Sequence, residues 1–442
     1  MATKQKVKTR RHELESLFKR FPDVPREVVV KEDILRYGQA FGEAALKVGE
    51  QYRTKTYGGW LFSFDRVTPD QAKQGEVFRV PDYLELKGGL YNLRGRLRVR
   101  CRVNPDSPYV VDQIDGKLWV CERDNGGLAP IAELWEYRPI PRYWSMKLED
   151  GTPYNQIIRD DFATVFMFCQ HWGPDEECRF CDINENARMS KERGALTIAR
   201  PFKTVEQIAT VAEEIFVRQW EERPEYDRPK NMTISGGAIT NKLDGLPENE
   251  FYIRYIRAIR EKIGSRFHLN LQSGPKSKED IKVFKDAGLD SHSTNLEVWD
   301  KDLFPIICPG KQRVIGREEW IRRMVGEVDV MGEGGVTPGF VVGCEMAKPF
   351  GFKTVDEAVK SYEEGFEFLM SHGVVPRPIS WCVEPRSALA DQEPPPTEYF
   401  IRIDRAWYER WLKHRLPPPS AYKIGPGVSE YPNNAAADMG YP

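Results

Sequence analysis

Cysteine and histidine are scarce in this chain, with 8 and 6 copies among 442 residues. So few cysteines over that length exclude the small, disulfide-stapled secreted classes. Net charge is nearly absent as well, since 65 Lys and Arg stand against 67 Asp and Glu, leaving a formal charge of -2. That balance gives no bulk electrostatic case for nucleic acid or anionic lipid as the main partner. One short basic arm, residues 4–11, is the exception. No run reaches the ~18 apolar residues of a membrane span. The opening MATKQKVKTRRHELE also lacks the apolar core of a signal peptide. The sequence therefore predicts a cytoplasmic protein with no membrane partner. It contains no long-range repeat and no low-complexity tract.

What is present is burial material: 11 Trp, 18 Tyr and 22 Phe, enough for a substantial core. Four textures follow one another. Residues 1–57 read as an N-terminal helical arm, with a helix over VKEDILRYGQAFGEAALKVGE. Residues 58–160 carry short apolar runs such as WLFSF, YLEL, LRVRCRV and KLWVCER between Gly, Pro, Asp and Asn, the pattern of a β-rich accessory domain. Residues 161–415 alternate six short apolar runs (162–168, 231–237, 267–273, 293–299, 338–344, 378–383) with amphipathic stretches. Residues 416–442, rich in Pro, Gly and Asn, form a tail that either wraps in order or hangs loose.

The amphipathic stretches have helical spacing: Val205, Ile208, Ala209 and Ala212 share one face, as do Val355, Ala358, Val359 and Tyr362. Thr204 with Gln207 and Thr354 with Glu357 have capping-box spacing. Strand and helix in alternation predict parallel strands joined by crossovers, either a β/α barrel, whole or partial, or an open doubly wound sheet. In each, ligands sit at the C-terminal strand ends.

Three of the cysteines crowd into one loop after the first strand of this series, Cys169, Cys178 and Cys181, spaced C-x8-C-x2-C. Three thiolates on one loop can hold three irons of a [4Fe-4S] cluster and leave the fourth open. His171 adds a fourth donor, so a structural zinc site uses the same residues. The remaining cysteines are too widely spaced for a compact ligand set and read as buried structural residues.

The cysteine loop, with Phe180 just before Cys181, resembles that of the radical S-adenosylmethionine (SAM) superfamily, whose usual spacing is C-x3-C-x2-C. Further residues extend the resemblance toward its biotin-synthase and hydrogenase-maturase branch. Gly236-Gly237 at the second strand end resembles the motif whose backbone binds the methionine amino group of SAM. Ser273 ends the third strand. Asn295 and Glu297 fall where ribose hydroxyls are held, and either Arg313 or Arg317, after the Cys308-Pro309-Gly310 turn, falls where the methionine carboxylate is paired. Gly343 resembles a later glycine of the SAM pocket, and Cys344 is the cysteine with the best claim to a catalytic role.

The resemblance implies an α/β partial (β/α)6 TIM-like barrel behind an N-terminal β-rich region. It also implies an oxygen-sensitive, metal-binding iron-sulfur enzyme with a [4Fe-4S] cluster and SAM as cofactors, and a flavodoxin or ferredoxin as external electron donor. Its reaction would be cleavage of SAM to a 5′-deoxyadenosyl radical that abstracts hydrogen from a small organic substrate, driving a rearrangement, bond cleavage or coupling. Two other readings stay open: a zinc-stabilised barrel that binds without catalysis, and an RNA-modifying radical SAM enzyme. The first predicts that the strand-end residues do not converge on the cysteine loop, the second that a basic groove leads to the pocket.

Overall fold

The computed structural model describes residues 9–55, 65–66, 79–89, 91–124, 127–192, 201–419, 424–425 and 429–440. WLFSF and most of the basic arm lie outside the described residues. The chain begins with helices Arg10–Arg20 and Arg26–Tyr37. The single helix expected near residues 30–50 is interrupted at Gly38, which takes φ +69°. A Cβ there would stand 2.5 Å from the Arg102 carbonyl oxygen, so the position requires glycine. The chain leaves the helix, forms β1 (Ala40–Phe41) and resumes as helix Glu43–Gly49.

Strands β2 (Tyr83–Leu86) and β3 (Leu97–Arg100) pair antiparallel, and β4 (Tyr109–Ile114), β5 (Lys117–Asp124) and β6 (Gly127–Glu133) form a sheet of order β1-β4-β5-β6. Its core joins Val28, Ile34, Leu97, Val120 and Ile131 to Ile401 and Ala435 from the far end of the chain.

Six parallel strands follow residue 160, at or overlapping the expected runs: β7 (Phe162–Thr164), β8 (Asn231–Ser235), β9 (His268–Gln272), β10 (Ser291–Ser293), β11 (Gly339–Val342) and β12 (Arg377–Ser380). Strands β7 to β10 lie side by side in chain order, β11 pairs with β12, and parallel bridges His292–Val336 and Glu297–Phe340 connect the two groups. Along β8, β9 and β11 one face carries Met232, Ile234, Leu269, Leu271 and Val342 into the main hydrophobic core, as period-two alternation requires. Both expected capping boxes form, at Thr204 with Gln207 and at Thr354 with Glu357.

One strand departs from expectation. The run at 293–299 is strand only at its first residue, since β10 spans Ser291–Ser293 and beyond it only Glu297 pairs, through an isolated bridge to Phe340. Glu297 adopts φ +75°, which no regular strand accommodates. The Asn295 side chain accepts the Gly339 N–H at 2.8 Å, taking the place of a main-chain carbonyl.

Among the described residues no ladder joins β7 to β12, so the barrel is partial. The gap is filled from outside it. Ser380 N–H donates to Asn433 O at 3.0 Å, and Arg100 N–H donates to Pro432 O at 2.8 Å, setting the C-terminal segment between β12 and β3. Arg159, ahead of β7, pairs with Asp82 at 2.6 Å. The N-terminal region thus walls the side of the barrel.

Candidate active site

The cysteine loop leaves β7 and is clamped from two directions. On one side, Cys169 N–H donates to Asn184 Oδ1 at 2.7 Å, and Gln170 N–H donates to Ala238 O at 3.0 Å. The Gln170 side chain accepts from Thr240 and Asn241 N–H, both at 2.9 Å. Ala238 N–H points at the Cys169 sulfur, 3.4 Å away. On the other side, Arg179 N–H donates to Ile307 O (2.8 Å) and Gly310 N–H to Glu176 O (3.1 Å).

Both clamps need glycine. A Cβ on Gly237 would stand 2.1 Å from Phe168 O, and one on Gly310 would stand 2.4 Å from Glu176 O, contacts that fixed backbone cannot relieve. The glycines of the sequence motifs therefore have a packing reason of their own, in addition to baring main chain toward the cavity.

Cys169, Cys178, Cys181, Gly236, Gly237, Ser273, Asn295 and Glu297 all border one cavity of about 590 Å³, a volume suited to small-molecule ligands. Trp381 and Glu384 border it too. Arg313, Arg317, Gly343 and Cys344 are not on its wall. Arg313 is exposed and holds Glu176 at 2.9 Å. Arg317 donates to Trp299 O at 2.7 Å and lies 4.6 Å above the Trp299 ring. Gly343 packs against Pro395, where a Cβ would come to 3.1 Å, and the buried Cys344 thiol meets Val341 O at 3.1 Å. His292 stands behind the wall, bonding Ser273 Oγ at 2.9 Å and Glu327 at 2.6 Å, and so orients Ser273.

The cation at the mouth is one the motif reading missed. Lys311 borders the cavity, and its ammonium donates to Glu297 Oε1 at 2.7 Å and to Asn295 O at 2.8 Å. Burial alone would lower its pKa, but Glu297, Cys178 and Cys308 outweigh burial and hold it above the usual lysine range. Cys308, read from sequence as a bystander, hydrogen-bonds Cys178 and lowers that thiol's pKa. Burial raises the Cys169 thiol to about 11. The sequence signal for both missed residues is their place around Gly310: once that glycine is forced against the cysteine loop, Cys308 and Lys311 must follow.

The donor set fits an iron-sulfur cluster: three free thiols on one cavity wall, one facing a main-chain N–H. Among the described residues no three His, Cys, Asp or Glu side chains are drawn close enough to chelate a single ion. His171 packs its Nδ1 against Gly310, where a Cβ would come to 2.5 Å. The convergence that the zinc-binding alternative forbids is the convergence observed.

The chain is 22% identical over 302 residues to a bacteriochlorophyllide c C-7(1)-hydroxylase of Chlorobaculum limnaeum, covering 64% of this chain and 69% of that one. Among solved structures it is similar to methylornithine synthase (PylB), with TM-score 0.40 and 11% identity over 61% of this chain and 72% of that one. It is also similar to a radical SAM methyltransferase from Sphaerobacter thermophilus, with TM-score 0.39 and 14% identity over 78% and 80% of the two chains. No family model matches. One of these solved structures is described as a radical SAM enzyme, the class that the cysteine loop resembles. Among the described residues no helix is long and apolar enough to cross a membrane.

Proposed function

We propose that this enzyme binds a [4Fe-4S] cluster on Cys169, Cys178 and Cys181, with SAM in the adjoining cavity, and abstracts hydrogen from a small organic substrate. The carrying observation is that one cavity is bordered by the three cysteines, the Gly236-Gly237 backbone and the Asn295–Glu297–Lys311 cluster. When bound, the cluster supplies the electron that cleaves SAM to methionine and a 5′-deoxyadenosyl radical.

The chain's own groups then have distinct tasks. Ala238 N–H and the Cys308 thiol hydrogen-bond sulfurs of the cysteine loop, favouring thiolate character at Cys169 and Cys178. Gly236 and Gly237 present bare main chain to the methionine end of SAM. Lys311 takes the place first given to Arg313 or Arg317, opposite the cofactor carboxylate. It also fixes one oxygen of Glu297, leaving the other to accept a ribose hydroxyl. Trp381 and the wall from β3 keep water from the reacting centre. The reaction drives a rearrangement, cleavage or coupling in the cytoplasm, with electrons from a flavodoxin or ferredoxin.

A small substrate is favoured over RNA because most cations around the cavity already hold carboxylates. Arg138 pairs with Asp227 and Glu85, each at 2.8 Å, and Lys230 with Glu430 at 2.8 Å.

Anaerobic reconstitution tests the proposal. The expected result is about four iron and four sulfide per chain, with reductive release of 5′-deoxyadenosine that is abolished in Cys178→Ala. Zinc without iron, or undiminished SAM cleavage in that variant, overturns it.

A further inference from the structure

Inside the barrel, the residues facing the cavity from successive strands are polar: Asn231, Ser235, Gln272 and Ser293, where closed barrels carry layers of branched aliphatic side chains. Among them stands one charge, Arg377, the first residue of β12. It is 8% exposed and borders the same cavity. Its Nε donates to Thr337 O at 3.1 Å and its Nη2 to Ser293 Oγ at 2.8 Å. Ser293 in turn donates to Asn270 Oδ1 at 3.0 Å.

Among the described residues, every acceptor that Arg377 meets is neutral. Several other cations on the cavity wall have carboxylates, Arg159 with Asp82, Arg138 with Asp227, Lys311 with Glu297 and Lys230 with Glu430, while Arg228 spends its guanidinium on the main-chain carbonyls of Arg223 and Glu221 and on the Trp220 ring. A buried guanidinium without a counter-ion is costly to desolvate. It is also rigidly aimed here, because two of its three nitrogens are already held. An incoming anion supplies the missing charge, and the guanidinium fork matches a carboxylate or phosphate.

We infer that Arg377 anchors an oxyanion, carboxylate or phosphate, of the substrate. This rests on the proposed function for the reading of the cavity as a substrate chamber. The cofactor's own carboxylate belongs elsewhere. Arg377 opens β12 and lies about 10 Å of strand below Ser380 at its end, whereas the cysteine loop and Lys311 gather where the strands end. The substrate's anionic end is thus held deep in the barrel, and its reactive carbon points back toward the cysteines.

The test is calorimetric titration of the reconstituted, SAM-saturated enzyme with two probes, succinate and inorganic phosphate. One of them is expected to bind, and which one identifies the kind of oxyanion. Binding should weaken at least tenfold in Arg377→Gln and by a smaller factor in Arg377→Lys, which keeps the charge but not the fork. Absence of binding by either probe overturns the inference, as does undiminished affinity in Arg377→Gln or direct competition between the probe and SAM. If Arg377→Gln does not fold by circular dichroism, the ratio between wild type and Arg377→Lys decides, and equal affinities overturn it.

Repeating the titration on the cluster-free chain separates the two readings. Arg377-dependent binding to the cluster-free chain, together with no SAM cleavage by the reconstituted enzyme, leaves the site standing and removes the proposed function. SAM cleavage without oxyanion binding removes only the site.

Discussion

Two regions of this molecule bury charge, and they do it in opposite ways. Where the N-terminal helix Arg26–Tyr37 meets the C-terminal segment, three consecutive charged residues are fully buried, and each has partners inside the protein. Lys31 holds Asp438 at 2.7 Å. Glu32 accepts from Ala435 N–H and Ser380 Oγ, both at 2.7 Å. Asp33 pairs with Arg10 at 2.6 Å. The barrel interior is as polar, but its groups face a void of about 590 Å³, and among the described residues no carboxylate pairs with Arg377. Buried charge with partners inside the protein joins distant parts of the chain, whereas the buried charge of Arg377 faces a cavity, which is why we assign it a ligand.

The sharpest break in that comparison comes from the matched side. Replacing Lys31 with Met strands Asp438 in the interior, which costs about 3–5 kcal/mol, the usual penalty for removing one partner of a buried pair. Urea denaturation should show this loss at unchanged SAM affinity in the fraction that remains folded. A loss below about 1 kcal/mol would mean that water reaches the junction and that the contrast drawn here is wrong.

The same junction should respond to pH. Burial pushes the Glu32 carboxyl from the usual value of 4.5 up to about 7, against the opposing pull of Ser380 and Lys31. An acid that binds its proton more tightly when folded contributes stability that is fully present below pH ~4.5 and is lost as pH rises through ~7. Asp438, pushed up to about 6 by burial, adds to the slope in the same direction. Glu32→Gln is expected to be more stable than wild type above pH 7 by about 2 kcal/mol, with a flatter profile. Denaturation midpoints measured across this range would refute the assignment if the two profiles ran parallel.

On the cavity side the readout changes from stability to affinity. Glu297→Gln keeps the shape of the side chain and one acceptor for Lys311. The melting temperature should therefore move little, while SAM binding weakens by about tenfold through loss of a charge-assisted hydrogen bond. Equal effects on melting and on binding would place Glu297 with the matched charges.

The two regions were also unequally legible in the sequence. The barrel announces itself through period: Met232, Ile234, Leu269 and Leu271 alternate with polar residues, and Thr204 with Gln207 marks a helix start. The three cysteines and the Gly-Gly pair mark its mouth by spacing alone. Lys311 was passed over in favour of Arg313 and Arg317 because sequence shows distance along the chain, whereas the choice is made by Gly310, whose missing side chain lets the turn close on Glu176. Arg377 and the Lys31–Asp438 junction left no signal, since their meaning depends on partners up to 407 residues away in the chain. The displaced β10 has a similar cause: Glu297 reads as strand by its neighbours, and only the bond from Gly339 to the Asn295 side chain shows why it is not.

The smallest expected effect fixes the lower end of the scale. Thr204 caps helix Val205–Glu213 by accepting from Gln207 N–H at 3.2 Å, and its own N–H is taken by Gln207 Oε1 at 2.9 Å. This pair is as well matched as any at the junction, but it sits in one turn at the protein surface. When Thr204→Ala removes the cap, water replaces the lost oxygen, and the cost should be about 1 kcal/mol. Matching alone therefore does not set the penalty; separation from water does. If Thr204→Ala and Lys31→Met prove equally damaging in the same denaturation experiment, burial is not what distinguishes the junction, and the unmatched Arg377 loses the energetic reason to bind an anion.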